Sequence, residues 1–239
     1  MESHVKSMSS EDWYGHAQSY WNSIDPDVDG MLGGFGRISH IDTQGSLRFL
    51  RELTVGKKGA GGHLIKAPCI SPQYACDCGA GIGRVTQQML LKVPFERVDL
   101  VEQCEKFIKR ARIDLKEQVR DGKVGDFYTC GLQNFVPVEG RYDLIWCQWV
   151  LGHLTDDDLI TFFQRCKKGL KPGGIIGVKE NISSNECLYD EEDSSVTRPD
   201  KDFKDIFRKA GLSLIKEETQ HGFPDGLFTV RMYALRASD

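Results

Sequence analysis

No stretch of this chain approaches 18 consecutive apolar residues, so no membrane-spanning helix and no membrane partner are expected. The first twenty residues are polar and aromatic and lack the apolar core of a secretory signal. Lysine and arginine never run longer than two in a row, and the formal net charge is −4. That balance excludes a long footprint on nucleic acid, which needs a basic surface, and suits a cationic substrate better. No CxxC pair occurs among the eight cysteines, so zinc ligation is not expected and no metal is assigned. Those thiols fall in apolar patterns and read as reduced, mostly buried side chains, which implies the nucleus and cytoplasm. The glycine-rich stretch "DGMLGGFGRI" at 29–38 is followed by no G-K-[ST] and preceded by no strand-like run. It is therefore no phosphate loop. Its bulky members, Met31, Leu32, Phe35 and Ile38, suit an apolar wall instead.

At 239 residues, 40 % hydrophobic and 28 % charged, the chain is an ordinary globular sequence able to bury a substantial core. From Tyr74 onward strand-like and helix-like patterns alternate, which predicts an α/β fold with a mostly parallel sheet. The expected strands are "QYACDC", "RVDLVE", "DFYTC", "YDLIWCQWV" and "IIGVKEN", followed by two late ones, "LSLIKEE" and "LFTVRMYALR". Between them "KFIKRARIDLKEQV" reads as one helix, and Thr155 is placed to cap another that "KPGG" ends. Ahead of the sheet, Trp13, Ala17, Trp21 and Ile24 share one helical face. The expected layout is an N-terminal helical extension with the glycine-rich loop over 1–55, a surface loop over 56–73, and the core over 74–239. A polar acidic connection spans 183–200.

"DCGAGIGR", from Asp77 to Arg84, lies where the first core strand should meet its helix. Its G-x-G-x-G spacing is one residue shorter than the dinucleotide fingerprint. Gly79 and Gly81 would let a ligand approach the backbone with no Cβ in the way. Glu102 ends the second strand, where a carboxylate can accept hydrogen bonds from both hydroxyls of a ribose. An NAD enzyme fits less well, because no second glycine turn follows.

These motifs resemble the class I S-adenosylmethionine-dependent methyltransferases over roughly residues 73–236. Together with "SYWNS", "VDGMLGGFGRIS", "IWCQWVLGHLTD" and "DSSVTR", the chain closely resembles the α-N-terminal protein methyltransferases from about Trp13 to Arg236. That family methylates the terminal amine of proteins whose processed start reads Xaa-Pro-Lys or similar. The resemblance implies a seven-stranded sheet with helices on both faces, S-adenosyl-L-methionine as cofactor, such N-terminal tails as partners, and a monomer. It implies a cofactor site of Gly79, Gly81, Arg84, Glu102, Gln103, Cys104, Leu132, Gln133 and Gln148. It further implies that Trp21 and Trp149 flank the substrate terminus, that Leu32 and Ile38 contact its proline, and that Asn181 anchors its first peptide group. Asp190 and Ser195 would take its lysine.

A terminal amine has a free pKa of about 7.7–8 and is mostly protonated at neutral pH, so something must accept its proton. By the same resemblance Asp193 would hold the amine and His153 would share or relay that proton. Phe228 stands where the family commonly carries a tyrosine, so one peptide hydrogen bond is expected to be missing. The alternatives are a methyltransferase for a small molecule or another protein site, and a cofactor-binding regulator without catalysis.

Overall fold

A computed structural model describes residues 9–238; residues 1–8 of the expected extension and residue 239 of the expected core lie outside the described residues. Three helices come first: α1 (Ser10–Ser23), α2 (Val28–Met31) and α3 (Ser39–Thr54). A small ribbon follows, β1 (Lys57–Lys58) with β2 (Leu64–Lys66). Then come β3 (Tyr74–Cys78), α4 (Arg84–Gln88), β4 (Arg97–Val101), α5 (Glu105–Asp114), α6 (Lys116–Arg120) and β5 (Val124–Tyr128). The chain continues through β6 (Tyr142–Gln148), α7 (Asp156–Gly169), β7 (Leu170–Ile182), a hairpin of β8 (Leu188–Asp190) and β9 (Ser195–Thr197), and α8 (Asp200–Lys209). It closes with β10 (Leu212–Thr219) and β11 (Thr229–Ala237).

The main sheet has seven strands in the order β10-β11-β7-β6-β3-β4-β5, and only β11 runs against its neighbours. The winding direction reverses at β3, which pairs with both β4 and β6. At such a reversal the connections leave on opposite faces and open a crevice beyond the strand ends, where α/β folds bind ligands. Strand β6 is buried along its whole length. Its Leu144 and Trp146 pack with Leu47, Phe49, Leu50 and Leu53 of α3. Ile145 and Cys147 pack on the other face with Phe162 and Phe163 of α7 and Phe203 and Phe207 of α8. Helices on both faces explain why that strand reads as a continuous apolar run.

Several details differ from the sequence reading. Helix α3 was not expected: its buried face mixes Leu47, Leu50 and Leu53 with Asp42, Thr43 and Ser46, which breaks the apolar stripe. The helix expected over "KFIKRARIDLKEQV" is interrupted at Leu115. Lys171 to Gly174 belong to the start of β7, where Gly173 takes a φ of 80°. The loop over 56–73 holds the β1–β2 ribbon, and the acidic connection holds the β8–β9 hairpin. The Thr155 cap forms as expected, with its Oγ1 accepting the Asp158 N–H at 3.3 Å.

Candidate functional site

Beyond the ends of β3, β4 and β6 lies a cavity of about 890 Å³, counted with its open mouth. Gly79, Gly81, Arg84, Glu102, Gln103, Leu132, Gln133 and Gln148 all line it. Gly79 and Gly81 adopt φ values of 74° and 54°, a region other residues enter at a cost. A Cβ on Gly79 would meet Val150 side-chain atoms at 2.5 Å, and one on Gly81 would meet Met31 Sδ at 2.7 Å. A side chain at either position would therefore push on a residue of the cavity wall.

Glu102 is buried at the edge of this cavity. One oxygen accepts the Gly81 N–H at 3.0 Å and the other the Cys104 N–H at 2.8 Å. Burial raises its pKa, and these N–H groups oppose the rise. Cys104, expected in the cofactor site, does not line the cavity; its backbone N–H holds Glu102 in place. Arg84 and Gln148 are held from behind by Asp42 of α3. Arg84 Nη1 lies 2.7 Å from Asp42 Oδ2, and Gln148 Nε2 lies 2.9 and 2.8 Å from the two carboxylate oxygens. Lys179 is also fully buried on Asp42, at 2.5 Å. Burial lowers the Lys179 pKa, and Asp42 opposes that.

A second cavity of about 1180 Å³, open to solvent, adjoins the first. Leu32, Ile38, Asn181, Asp193 and Ser195 line it. Trp21, Met31, Trp149 and His153 line both cavities and so form the partition between them. Trp149 is fixed by its indole N–H to Asn181 Oδ1 at 3.2 Å and its backbone N–H to the Lys179 carbonyl at 3.0 Å. The cations of Arg84 and Lys179 each lie 5.8 Å from its ring centroid. Glu180 accepts the backbone N–H groups of Val150 and Leu151 at 2.9 and 2.8 Å and so clamps the turn after Trp149. Burial pushes the Glu180 carboxyl up to about 7.

Asp193 sits in the turn of the β8–β9 hairpin, and its Oδ1 is buried with no hydrogen-bond partner. A buried carboxylate oxygen without a donor is costly unless a guest supplies one. Trp149 and Ser194, both at φ 52°, are the only positive-φ residues other than glycine among the described residues. Backbone held in that region tends to gather at functional sites. Asp190 pairs with Ser195 in the hairpin but is exposed on the rim and does not line the channel. Phe228 does line it, half exposed. The acidic turn is felt on α1: the Tyr20 pKa is raised first by burial and then by Glu192, Asp193 and Asp190.

Sequence reasoning gave no site role to Tyr14, Glu180 and Phe223. Tyr14 lines the first cavity, with its hydroxyl bonded to Asp158 at 2.6 Å. Phe223 enters the channel beside Trp149, with ring centroids 6.3 Å apart. Met31, expected as part of an apolar wall, lines both cavities, whereas Glu180 lay inside a strand run where its partners were invisible.

Residues 9–236 match the model of a family described as AdoMet-dependent proline di-methyltransferase. The chain is 42 % identical over 224 residues to the N-terminal Xaa-Pro-Lys N-methyltransferase 1-A of Xenopus laevis, covering 94 % of this chain and 95 % of that one. It is 47 % identical over 232 residues to the alpha N-terminal protein methyltransferase 1 of Schizosaccharomyces pombe, covering 95 % and 98 %. A solved structure from Leishmania major, a SAM-dependent methyltransferase of the DUF858 family, superposes with a TM-score of 0.84 at 35 % identity, covering 95 % of this chain and 85 % of that one.

Proposed function

The chain belongs to the AdoMet-dependent proline di-methyltransferase family, and from that premise we propose that it transfers methyl groups to the free α-amino group of proteins whose processed N-terminus reads Xaa-Pro-Lys or similar. The observation that carries this reading is the pair of cavities meeting at Trp21, Met31, Trp149 and His153, with the unpartnered Asp193 carboxylate in the second.

The first cavity fits S-adenosyl-L-methionine. It lies at the ends of the central strands, where α/β folds bind ligands, and is rimmed by Glu102. Glu102 is held by the Gly81 and Cys104 N–H groups with its carboxylate at the cavity, the placement a ribose-binding acid needs. Gln103, Leu132, Gln133 and Gln148 would complete the site. When bound, S-adenosyl-L-methionine supplies a methyl group activated by its sulfonium, and transfer leaves a neutral thioether.

The residues of the second cavity would prepare the amine. A protonated terminus has no lone pair for attack, and Asp193 offers a carboxylate to receive both its charge and one of its protons. Trp21 and Trp149 present aromatic faces, which favour a cation that gains methyl groups and loses hydrogen-bond donors. The buried Leu32 and Ile38 form an apolar wall suited to proline, which has no N–H to satisfy. Asn181 would anchor the first peptide group, and Asp190 with Ser195 would meet the lysine from the rim.

The test is transfer of label from the methyl donor to a peptide beginning Ser-Pro-Lys, beside an N-acetylated copy. Label is expected on the free peptide alone. Equal labelling of the acetylated copy would make the acceptor a side chain and sink the assignment.

A further inference from the structure

Trp21 of α1 donates its indole N–H to His153 Nε2 at 3.0 Å, with the two rings almost perpendicular at 88°. The other ring nitrogen, Nδ1, lies 3.2 Å from the carbonyl oxygen of Ser194. Neither partner can exchange roles, since an indole nitrogen only donates and a carbonyl oxygen only accepts. The tautomer is therefore dictated by its neighbours: His153 carries its proton on Nδ1 and turns its Nε2 lone pair to Trp21. A neutral imidazole arranged so has no unused lone pair for a substrate's proton.

The same helix grips this corner at two further points. Trp13 donates its indole N–H to the His153 carbonyl at 2.7 Å, and His16 Nδ1 lies 2.8 Å from Ser194 Oγ. Ser194 holds a left-handed backbone, and the residue before it is Asp193, with its unpartnered oxygen. His153 thus stands between the aromatic wall of the acceptor channel and the turn that carries the carboxylate.

We propose that His153 is a positioning residue and not a proton carrier: it holds Trp21 at a set distance from the turn bearing Asp193. This rests on the reading that an amine is methylated in this channel. The proton then leaves by one route. The ammonium N–H bond breaks, an O–H bond forms on Asp193, and the electron pair stays on nitrogen for the attack. A proton arriving at Nε2 would instead set two donors against each other and detach Trp21.

The direct test is nitrogen-15 spectroscopy of the labelled wild-type protein. We expect a protonated Nδ1, an unprotonated Nε2, and scalar coupling from the Trp21 indole across the hydrogen bond. A protonated Nε2 at neutral pH would overturn the proposal without any activity being measured. The kinetic test compares two substitutions. His153→Gln brings an amide oxygen near the position of Nε2, able to accept from Trp21 but not to carry a proton. It should keep kcat/KM within about tenfold of wild type, whereas His153→Leu should lose ~10²-fold through misplacement. A proton carrier would instead make both variants fall together by ~10²–10⁴-fold. Trp21→Phe combined with His153→Leu should be little worse than His153→Leu alone, because both remove one contact, and independent losses would contradict the link. Should His153→Gln fail to fold, the wild-type tautomer decides. Should wild type fail to methylate the Ser-Pro-Lys peptide, the functional reading falls, while the tautomer result still stands on its own.

Discussion

In the cavity beyond the ends of β3, β4 and β6 three polar side chains are tied down: Glu102 takes backbone N–H groups, and Arg84 and Gln148 are both held on Asp42. In the neighbouring channel Asp193 keeps a buried oxygen with no partner, and Trp149 and Ser194 hold left-handed backbone. The first region is made from the ends of central strands, which the sheet ladder already fixes. The second shares the ends of β6 and β7 through Trp149, Glu180 and Asn181, but the rest of it comes from α1, the glycine-rich loop, the β8–β9 hairpin and the segment between β10 and β11, which lie outside the central strands. Saturated bonding suits a site that holds one invariant ligand. Open valences and strain suit a site whose guest must supply the missing donor. The comparison predicts that substitutions in the channel cost turnover, whereas those behind the cofactor cavity cost stability.

The largest effect is expected at Asp193. Asp193→Asn keeps the shape but removes the charge and the proton acceptor, so turnover should fall by ~10²–10⁴-fold. Calorimetry should find donor affinity unchanged, and the melting temperature should not drop. A variant that turns over like wild type would remove Asp193 from the mechanism.

Next is Asp42→Ala, behind the cofactor cavity. It leaves Lys179 and Arg84 buried without their carboxylate, which should cost ~3–5 kcal/mol of folding stability in a denaturant titration. A loss below about 1 kcal/mol would mean that water or other side chains replace Asp42.

Glu180→Gln probes the shared wall. The folded-state pKa of about 7 lies above the ordinary value of 4.5, so the folded protein holds this proton more tightly than the unfolded chain. Stability from this group is therefore full at acid pH and is lost as pH rises from about 4.5 through about 7. Glutamine keeps the acceptor for Val150 and Leu151 and does not ionise. Its stability relative to wild type should grow by up to roughly 3 kcal/mol between about pH 5 and pH 8. A flat difference across that range would show that the carboxyl is ionised throughout.

The smallest effect is expected at the rim. Asp190 is exposed, so solvent screens its pairing with a substrate lysine, and Asp190→Asn should lower the preference for Xaa-Pro-Lys over Xaa-Pro-Gln by only ~0.2–1 kcal/mol. A shift beyond tenfold would mean that substrate closes over this residue.

The cofactor half of the site was largely legible before any coordinates. The glycines after a strand and the acid ending the next are local patterns whose physics is contained in a few neighbouring residues. Gly79, Gly81 and Glu102 stand where that pattern put them. Cys104, which the resemblance added to this site, has its backbone N–H on Glu102. The acceptor half was legible only through family resemblance, because its residues come from segments far apart in the chain and share no periodicity.

The sequence alone determined the strand order of events: alternating patterns, a glycine turn at the first crossover, a fully apolar central strand and a capped α7. Each follows from backbone conformation and hydrophobic periodicity, which act over a few residues. Only the tertiary structure decided that α3 lies under the sheet with a carboxylate holding Arg84, Gln148 and Lys179, and that Val150 and Met31 fill the spaces the glycines leave. It also decided that the ring of His153 meets Trp21 on one side and Ser194 on the other. The hydrogen bonds among these contacts join residues from 41 to 137 positions apart, and their energies depend on burial and on donor–acceptor geometry, which exist only once the chain has folded.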